Sequence, residues 1–164
     1  MRTLYVLRHG IALPSGTPSV EEGERPLTPK GRRRMEQVAQ GLKAMRIQPD
    51  RIVTSPLPRA EQTAEIVAKA LGLADRVERD EALLAHQSAA AIRSWLSGQE
   101  GEEVMIVGHN PAFSELVTVL PMGDDAPPIC ALKKGGLACF AVEGPGVYRL
   151  DWLAPPRLLR RIRR

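Results

Sequence analysis

Two rhythms of apolar and polar residues divide this chain. Short apolar or β-branched runs at Thr3–Leu7, Arg51–Thr54, Glu103–Val107, Ile129–Val142 and Val147–Trp152 predict strands. Helical spacing fills the intervals between them. Thr28 and Pro29 supply a cap and a first-turn residue, after which Met35, Val38, Ala39, Leu42 and Met45 keep one apolar face, with Arg and Lys on the other. A second helix is predicted from about Leu57 to Leu71, with Ala60, Thr63, Ala64, Val67 and Leu71 along one side and Gly72 as its stop. Ala89–Leu96 and Ala112–Leu120 predict two more, while Ala12–Pro26, Gly98–Glu103 and Met122–Pro128 read as loops. Strands alternating with full-length helical crossovers imply an α/β fold: a three-layer α/β/α sandwich around a mostly parallel sheet, forming one domain over residues 1–154. The run near Cys130 also fits a hairpin turning around Lys133–Gly136, which would set Cys130 opposite Cys139.

Composition adjusts this picture in two places. Of the 164 residues 43% are hydrophobic but only 4% aromatic, so the core must be mostly aliphatic. The net charge of +4 is not spread over the domain: residues 155–164 hold five arginines and no acid, which leaves the other 154 residues at −1. A basic tail and few aromatics for base stacking argue against nucleic-acid binding. Leu158, Leu159 and Ile162 share a helical face opposite the tail's arginines, so a docked segment and a free arm both fit. Lys30, Arg32, Arg33 and Arg34 open the first helix as a solvated face or a positive rim, offset by Glu21, Glu22 and Glu24 in the preceding loop. Cys130 and Cys139 are too few for a disulfide framework and lack metal-ligand spacing; reduced core thiols are expected. The apolar stretch before Arg8 and His9 is too short for a signal peptide or a membrane span, which makes a cytoplasmic location and no membrane association the expectation.

The chemistry gathers at strand ends. In an open parallel sheet, ligands bind outside the carboxyl ends of the strands. Here the first strand runs into Arg8-His9-Gly10, the second into Ser55-Pro56-Leu57-Pro58-Arg59, and the third into Gly108-His109-Asn110-Pro111. Each motif alone is weak; three converging on one edge are not. Two arginines and two histidines suit a tetrahedral oxyanion. Arg8 and Arg59 can clamp phosphoryl oxygens bidentately, and their charge disfavours protonation of His9, keeping its imidazole nucleophilic. Gly10 permits close backbone approach, and His109 would donate to a phosphate oxygen. The reaction is then two in-line transfers, substrate to His9 and phospho-His9 to water. No metal or other cofactor is needed, since two guanidiniums supply the positive charge and no Asp, Cys and His cluster has ligand spacing. No glycine-rich phosphate loop precedes a helix, so nucleotide binding is not supported.

Arg8-His9-Gly10, Leu27-Thr28-Pro29-Lys30-Gly31, the run Ser55–Ala64 and Gly108-His109-Asn110 together resemble the histidine phosphatase superfamily, with its phosphoglycerate mutase-like fold. The short length, the Arg25-Pro26-Leu27-Thr28 segment and the ending Trp152-Leu153-Ala154-Pro155 are similar to its small bacterial branch, the SixA-type phosphohistidine phosphatases. The resemblance implies that His9 accepts the phosphoryl group and that Arg8, Arg59 and His109 form the phosphate pocket. Ser15 falls where larger relatives often have an Asn touching the phosphate, though a polar loop residue would look the same.

One departure bears on substrate. Mutases and many small-molecule phosphatases of the superfamily carry a Glu general acid whose lead-in matches Val77, Asp80 and Leu83, but the acid position falls on Ala85. His86, Glu81 and Asp80 lie nearby, one or more places off. An alcohol leaving group needs proton donation, whereas the imidazole of a phosphoramidate can take its proton from solvent and leave as a neutral amine. The expected substrate is therefore phosphohistidine on a protein, such as a phosphorelay or phosphotransfer domain. The spacing of about 50 residues between Arg59 and His109 also leaves little room for insertions that enclose a metabolite. The alternatives are a small-molecule phosphomonoesterase using His86 or Glu81 as donor, and a non-catalytic phosphoprotein-binding module.

Overall fold

The computed structural model describes residues 1–162; Arg163 and Arg164, the end of the predicted basic tail, lie outside the described residues. In chain order the elements are β1 (Thr3–Arg8), α1 (Pro29–Ala44), β2 (Arg51–Thr54), α2 (Pro58–Leu71), β3 (Val77–Arg79) and α3 (Ala89–Leu96). They continue with β4 (Glu103–Gly108), α4 (Ala112–Met122), β5 (Leu137–Gly144), β6 (Val147–Ala154) and α5 (Pro156–Leu159). The six strands form one mixed sheet in the order β3-β2-β4-β1-β5-β6. Its first four strands are parallel, and β5 and β6 add an antiparallel hairpin beyond β1.

The central strands are apolar at nearly every position because both faces of the sheet are covered. Leu4, Val6, Val104 and Ile106 point to one face, where α3 and α4 contribute Ile92, Leu96, Phe113 and Leu116. Tyr5, Leu7, Met105 and Val107 point to the other, against Met35, Val38 and Leu42 of α1 and Ala60, Ala64 and Val67 of α2. Each fully buried aliphatic side chain contributes about 1.5–3 kcal/mol. Only Phe113 and Phe140 add aromatic bulk among the largest fully buried side chains, so the core is chiefly aliphatic. Thr28 caps α1 as its sequence predicts, its hydroxyl accepting the Gly31 N–H at 2.9 Å. No helix among the described residues is long and apolar enough to cross a membrane.

Three expectations are corrected. Residues 129–136 are not a strand, because side chains claim the backbone groups a ladder would use. Ser114 takes the Leu132 N–H, Thr118 takes the Ile129 N–H, and the Leu132 carbonyl accepts from both Arg8 and Asn110. The hairpin turns instead between Gly144 and Val147, and Cys139 stands opposite Tyr5 and Trp152, not Cys130. The two thiols belong to opposite faces of the sheet, Cys139 in the α1–α2 core and Cys130 at the edge of the α3–α4 core. Second, β3 escapes the sequence pattern: it has three residues, two of them exposed, too few to display alternation. Third, the shared apolar face of the tail divides. Leu159 is fully buried and Ile162 packs beside it, but Leu158 stays half exposed. Gly41 makes this docking fit, since a Cβ there would lie 2.1 Å from the Leu159 carbonyl oxygen.

Candidate active site

The parallel register brings the chemistry together. Arg8 ends β1 beside Gly108 at the end of β4, and Thr54 ends β2 beside Val107. His9, Ser55 and His109 therefore follow three neighbouring strands at one edge. Their backbones are tied: His9 N–H donates to the Gly108 carbonyl and Ser55 N–H to that of Val107. The turn Lys133–Gly136 clasps the same point. Gly135 adopts φ +77°, a conformation glycine takes without strain, and its N–H reaches the carbonyls of both Arg8 and His9.

His9 is buried, and its Nδ1–H donates to the Gly10 carbonyl at 2.7 Å. That bond keeps the proton on Nδ1 and leaves Nε2 with its lone pair free. The His9 and His109 rings lie 5.0 Å apart between centroids. Burial lowers the pKa of His9 to about 2, reinforced by His109, Arg59 and Arg8 against the opposing pull of the Gly10 carbonyl. Burial likewise lowers His109 to about 3, with Arg59, Arg8 and Arg25 adding to the effect. Both imidazoles are neutral at physiological pH. His109 Nε2 lies 2.9 Å from Ser55 Oγ, which also accepts the Leu57 N–H. With the Ser55 proton in that bond, His109 carries its own on Nδ1, an atom buried without a partner.

Three arginines surround the histidines. Each spends Nη1 on one main-chain carbonyl: Arg8 on Leu132 at 2.8 Å, Arg25 on Leu13 at 2.6 Å, and Arg59 on Glu22 at 3.2 Å. The Nε of each is buried without a partner. Buried donors without acceptors are costly, and three of them beside an unpartnered imidazole nitrogen describe a cradle for an oxyanion. Burial lowers the pKa of Arg8 and Arg59, Arg25 adding to the effect on Arg59.

The segment Ser55–Ala64 holds the frame. Pro58 opens α2, Arg59 enters the pocket from its first turn, and Ala60 and Ala64 enter the core. Glu61 pairs with Arg79, Gln62 accepts the Leu27 N–H, and Thr63 accepts the Gly10 N–H at 3.0 Å while donating to the Arg59 carbonyl. Thr63 thereby couples Gly10, the residue after His9, to the turn that carries Arg59.

The structure thus unites His9, Arg8, Arg59 and His109, and treats the remaining candidates differently. Ser15 spends its hydroxyl on Glu22 within its own exposed loop. Among the described residues, neither His86 nor Glu81 forms a hydrogen bond or ion pair with those four. Asp80 is occupied by the Ala82 N–H and the Trp95 indole. Arg25 carries no site signal in the sequence beyond Arg-Pro-Leu-Thr, since its loop reads as acidic. Ser55 carries none either, since its partner lies 54 residues away. Among the described residues, no group of three His, Cys, Asp or Glu side chains is placed to hold a metal ion.

Comparison with known proteins carries this arrangement further. The profile of the histidine phosphatase superfamily (branch 1) matches residues 4–84. Over 82% of its length the chain is 37% identical to an uncharacterized protein of Picosynechococcus sp., covering 81% of that protein. The chain belongs to the histidine phosphatase superfamily. It is a phosphatase of that superfamily. The chain is also 27% identical to the phosphohistidine phosphatase SixA of Escherichia coli (strain K12), over 93% of each protein. The solved structure of the protein histidine phosphatase SixA complexed with tungstate superposes with a TM-score of 0.81 at 25% identity, covering 94% of this chain and 97% of that one. A mycobacterial glucosyl-3-phosphoglycerate phosphatase shares the fold at 19% identity, with a TM-score of 0.68 and coverage of 94% and 99%.

Proposed function

We propose that this phosphatase hydrolyses phosphohistidine carried on protein domains, through a phosphorylated His9. The observation that carries the reading is the state of the carboxylates around the pocket. Glu22 lies next to the arginines, but its hydrogen bonds from Arg25 and Ser15 hold its carboxyl below the usual range, so it stays ionised and gives no proton. Asp80 is committed to its cap and to Trp95, and the family resemblance puts Ala85 where many relatives carry the general acid. A leaving alcohol would depart poorly from such a site, whereas a leaving imidazole takes its proton from solvent. Likeness to SixA, along 93% of the chain, supports the same reading.

In the first transfer His9 Nε2 attacks phosphorus, the N–P bond of the substrate breaks, and the departing imidazole gains a proton from water. Arg8, Arg59 and His109 Nδ1–H hold the phosphoryl oxygens, and Arg25 adds charge at the rim. In the second, water attacks phosphorus, the bond to His9 breaks and inorganic phosphate leaves. A tungstate ion, as in the SixA complex, has the tetrahedral oxyanion form such a pocket would hold.

A second reading, a small-molecule phosphomonoesterase, draws on the fold shared with glucosyl-3-phosphoglycerate phosphatase. Turnover of a phosphohistidine peptide, 3-phosphoglycerate and an aryl phosphate by the same preparation separates the two. The proposal expects kcat/KM for phosphohistidine to exceed the esters by at least about 100-fold, the scale of one general-acid contribution. Fast ester turnover with no phosphohistidine activity contradicts it.

A further inference from the structure

Beside the catalytic pocket lies a cleft of about 30 Å³ whose lining includes Gly10, Arg34, Met35, Lys134, Pro156 and Arg160. Three segments meet there: α1 brings Arg34, the clasping turn brings Lys134, and the residue that ends docked α5 is Arg160. Among the described residues, no carboxylate lines it. Arg34 and Arg160 are each half-buried, and among the described residues neither forms an ion pair. The only side-chain hydrogen bond of Arg160 among them runs from Nε to the Pro156 carbonyl one turn back, which leaves its terminal nitrogens free. Like cations do not gather without cause, because each raises the cost of holding the others.

The cleft borders the active site. Its lining includes the residue that follows His9, and partial burial lowers the pKa of Lys134, with Arg8, Arg25 and Arg59 near enough to add to the effect. Its volume suits one carboxylate head and is too small for a nucleotide. Arg forks match carboxylates in two hydrogen bonds.

We infer that Arg34, Lys134 and Arg160 form a second anion subsite, which takes an Asp or Glu side chain flanking the phosphohistidine of a protein substrate. The inference rests on the proposed phosphohistidine activity and adds a sequence preference to it. Docking of the C-terminal segment through buried Leu159 sets Arg160 in this cleft.

Two phosphohistidine peptides, identical except for Asp or Asn at the two to four positions on either side of the phosphohistidine, test the subsite on the full chain. The ratio of their kcat/KM values is the readout, since it cancels general damage from a substitution. Wild type should favour the acidic peptide about five- to tenfold, carried by KM, as expected for two or three solvent-bordered charge contacts. In Arg34→Gln/Arg160→Gln that ratio should fall to near one, and Arg34→Glu/Arg160→Glu should turn the preference toward a Lys-flanked peptide. A wild-type ratio near one, or a ratio unchanged by the double variants, overturns the subsite while the phosphohistidine reading stands. Hydrolysis of an aryl phosphate with neither peptide cleaved overturns both. A flat ratio with sedimentation on phosphatidylserine vesicles that the double variants lose assigns the cations to an anionic membrane and also overturns the subsite.

Discussion

His9 and His109 must stay neutral for the pocket to work, and that requirement has a measurable consequence. Their folded pKa values, about 2 and about 3, lie below the ordinary 6.5 chiefly because both rings are buried. Below pH 6.5 the unfolded chain therefore binds protons that the folded chain refuses, and stability falls as pH falls from 6.5 toward those values. The slope is roughly 1 kcal/mol per histidine for each pH unit. Depressed carboxylates such as Glu22, Asp50 and Glu78 lose their contribution only at lower pH, near and below their ordinary range. Thermal melting in phosphate-free buffer at pH 7.5 and 5.5 should show a clear drop for wild type. The His9→Asn/His109→Asn variant should lose markedly less over that window. Equal losses in both proteins would mean that the two rings are not held neutral by the fold.

Each strand at the site ends where its apolar run stops, and this is why so much of the pocket was legible in sequence. Arg8, His9 and His109 follow runs whose length and direction the alternation of strands and helices already sets. Arg59 was legible because Pro58 opens a helix beneath it. Arg25 and Glu22 were not: they reach the site through a loop whose path depends on carbonyls of Leu13 and Glu22 accepting from guanidiniums. The segment 129–136 hides its course for the same physical reason. Its apolar character suggests a strand, but Ser114, Thr118, Arg8 and Asn110 satisfy its backbone from a distance no local pattern reveals. At the far side of α1, Gly41 sets a prediction of its own. Gly41→Ala would ordinarily strengthen a helix by about 1 kcal/mol. Here the added Cβ meets the Leu159 carbonyl at 2.1 Å, so overpacking of roughly 1–3 kcal/mol outweighs that gain. Urea denaturation should give a less stable variant, cleaved faster by trypsin after Arg157. A variant as stable and as resistant as wild type would contradict the packing of α5 on α1.

Over the whole molecule, net charge says little about the reaction, and its placement says much. The five arginines that make the chain basic all lie in its last ten residues, and the first of these residues are built into the fold through Leu159. The pocket cations Arg8 and Arg59 belong to a body that is slightly acidic, held at one sheet edge by the register of β1, β2 and β4. What the architecture supplies is a buried cradle of unpartnered donors around one oriented imidazole. Rapid-quench analysis of a single turnover with a phosphohistidine peptide labelled in its phosphoryl group tests this most directly. Label should pass from the peptide to the enzyme as an acid-labile phosphoramidate on His9, decay to inorganic phosphate, and be absent in His9→Ala. Release of phosphate from the peptide with no label on wild-type enzyme, or equal labelling of His9→Ala, would contradict the account.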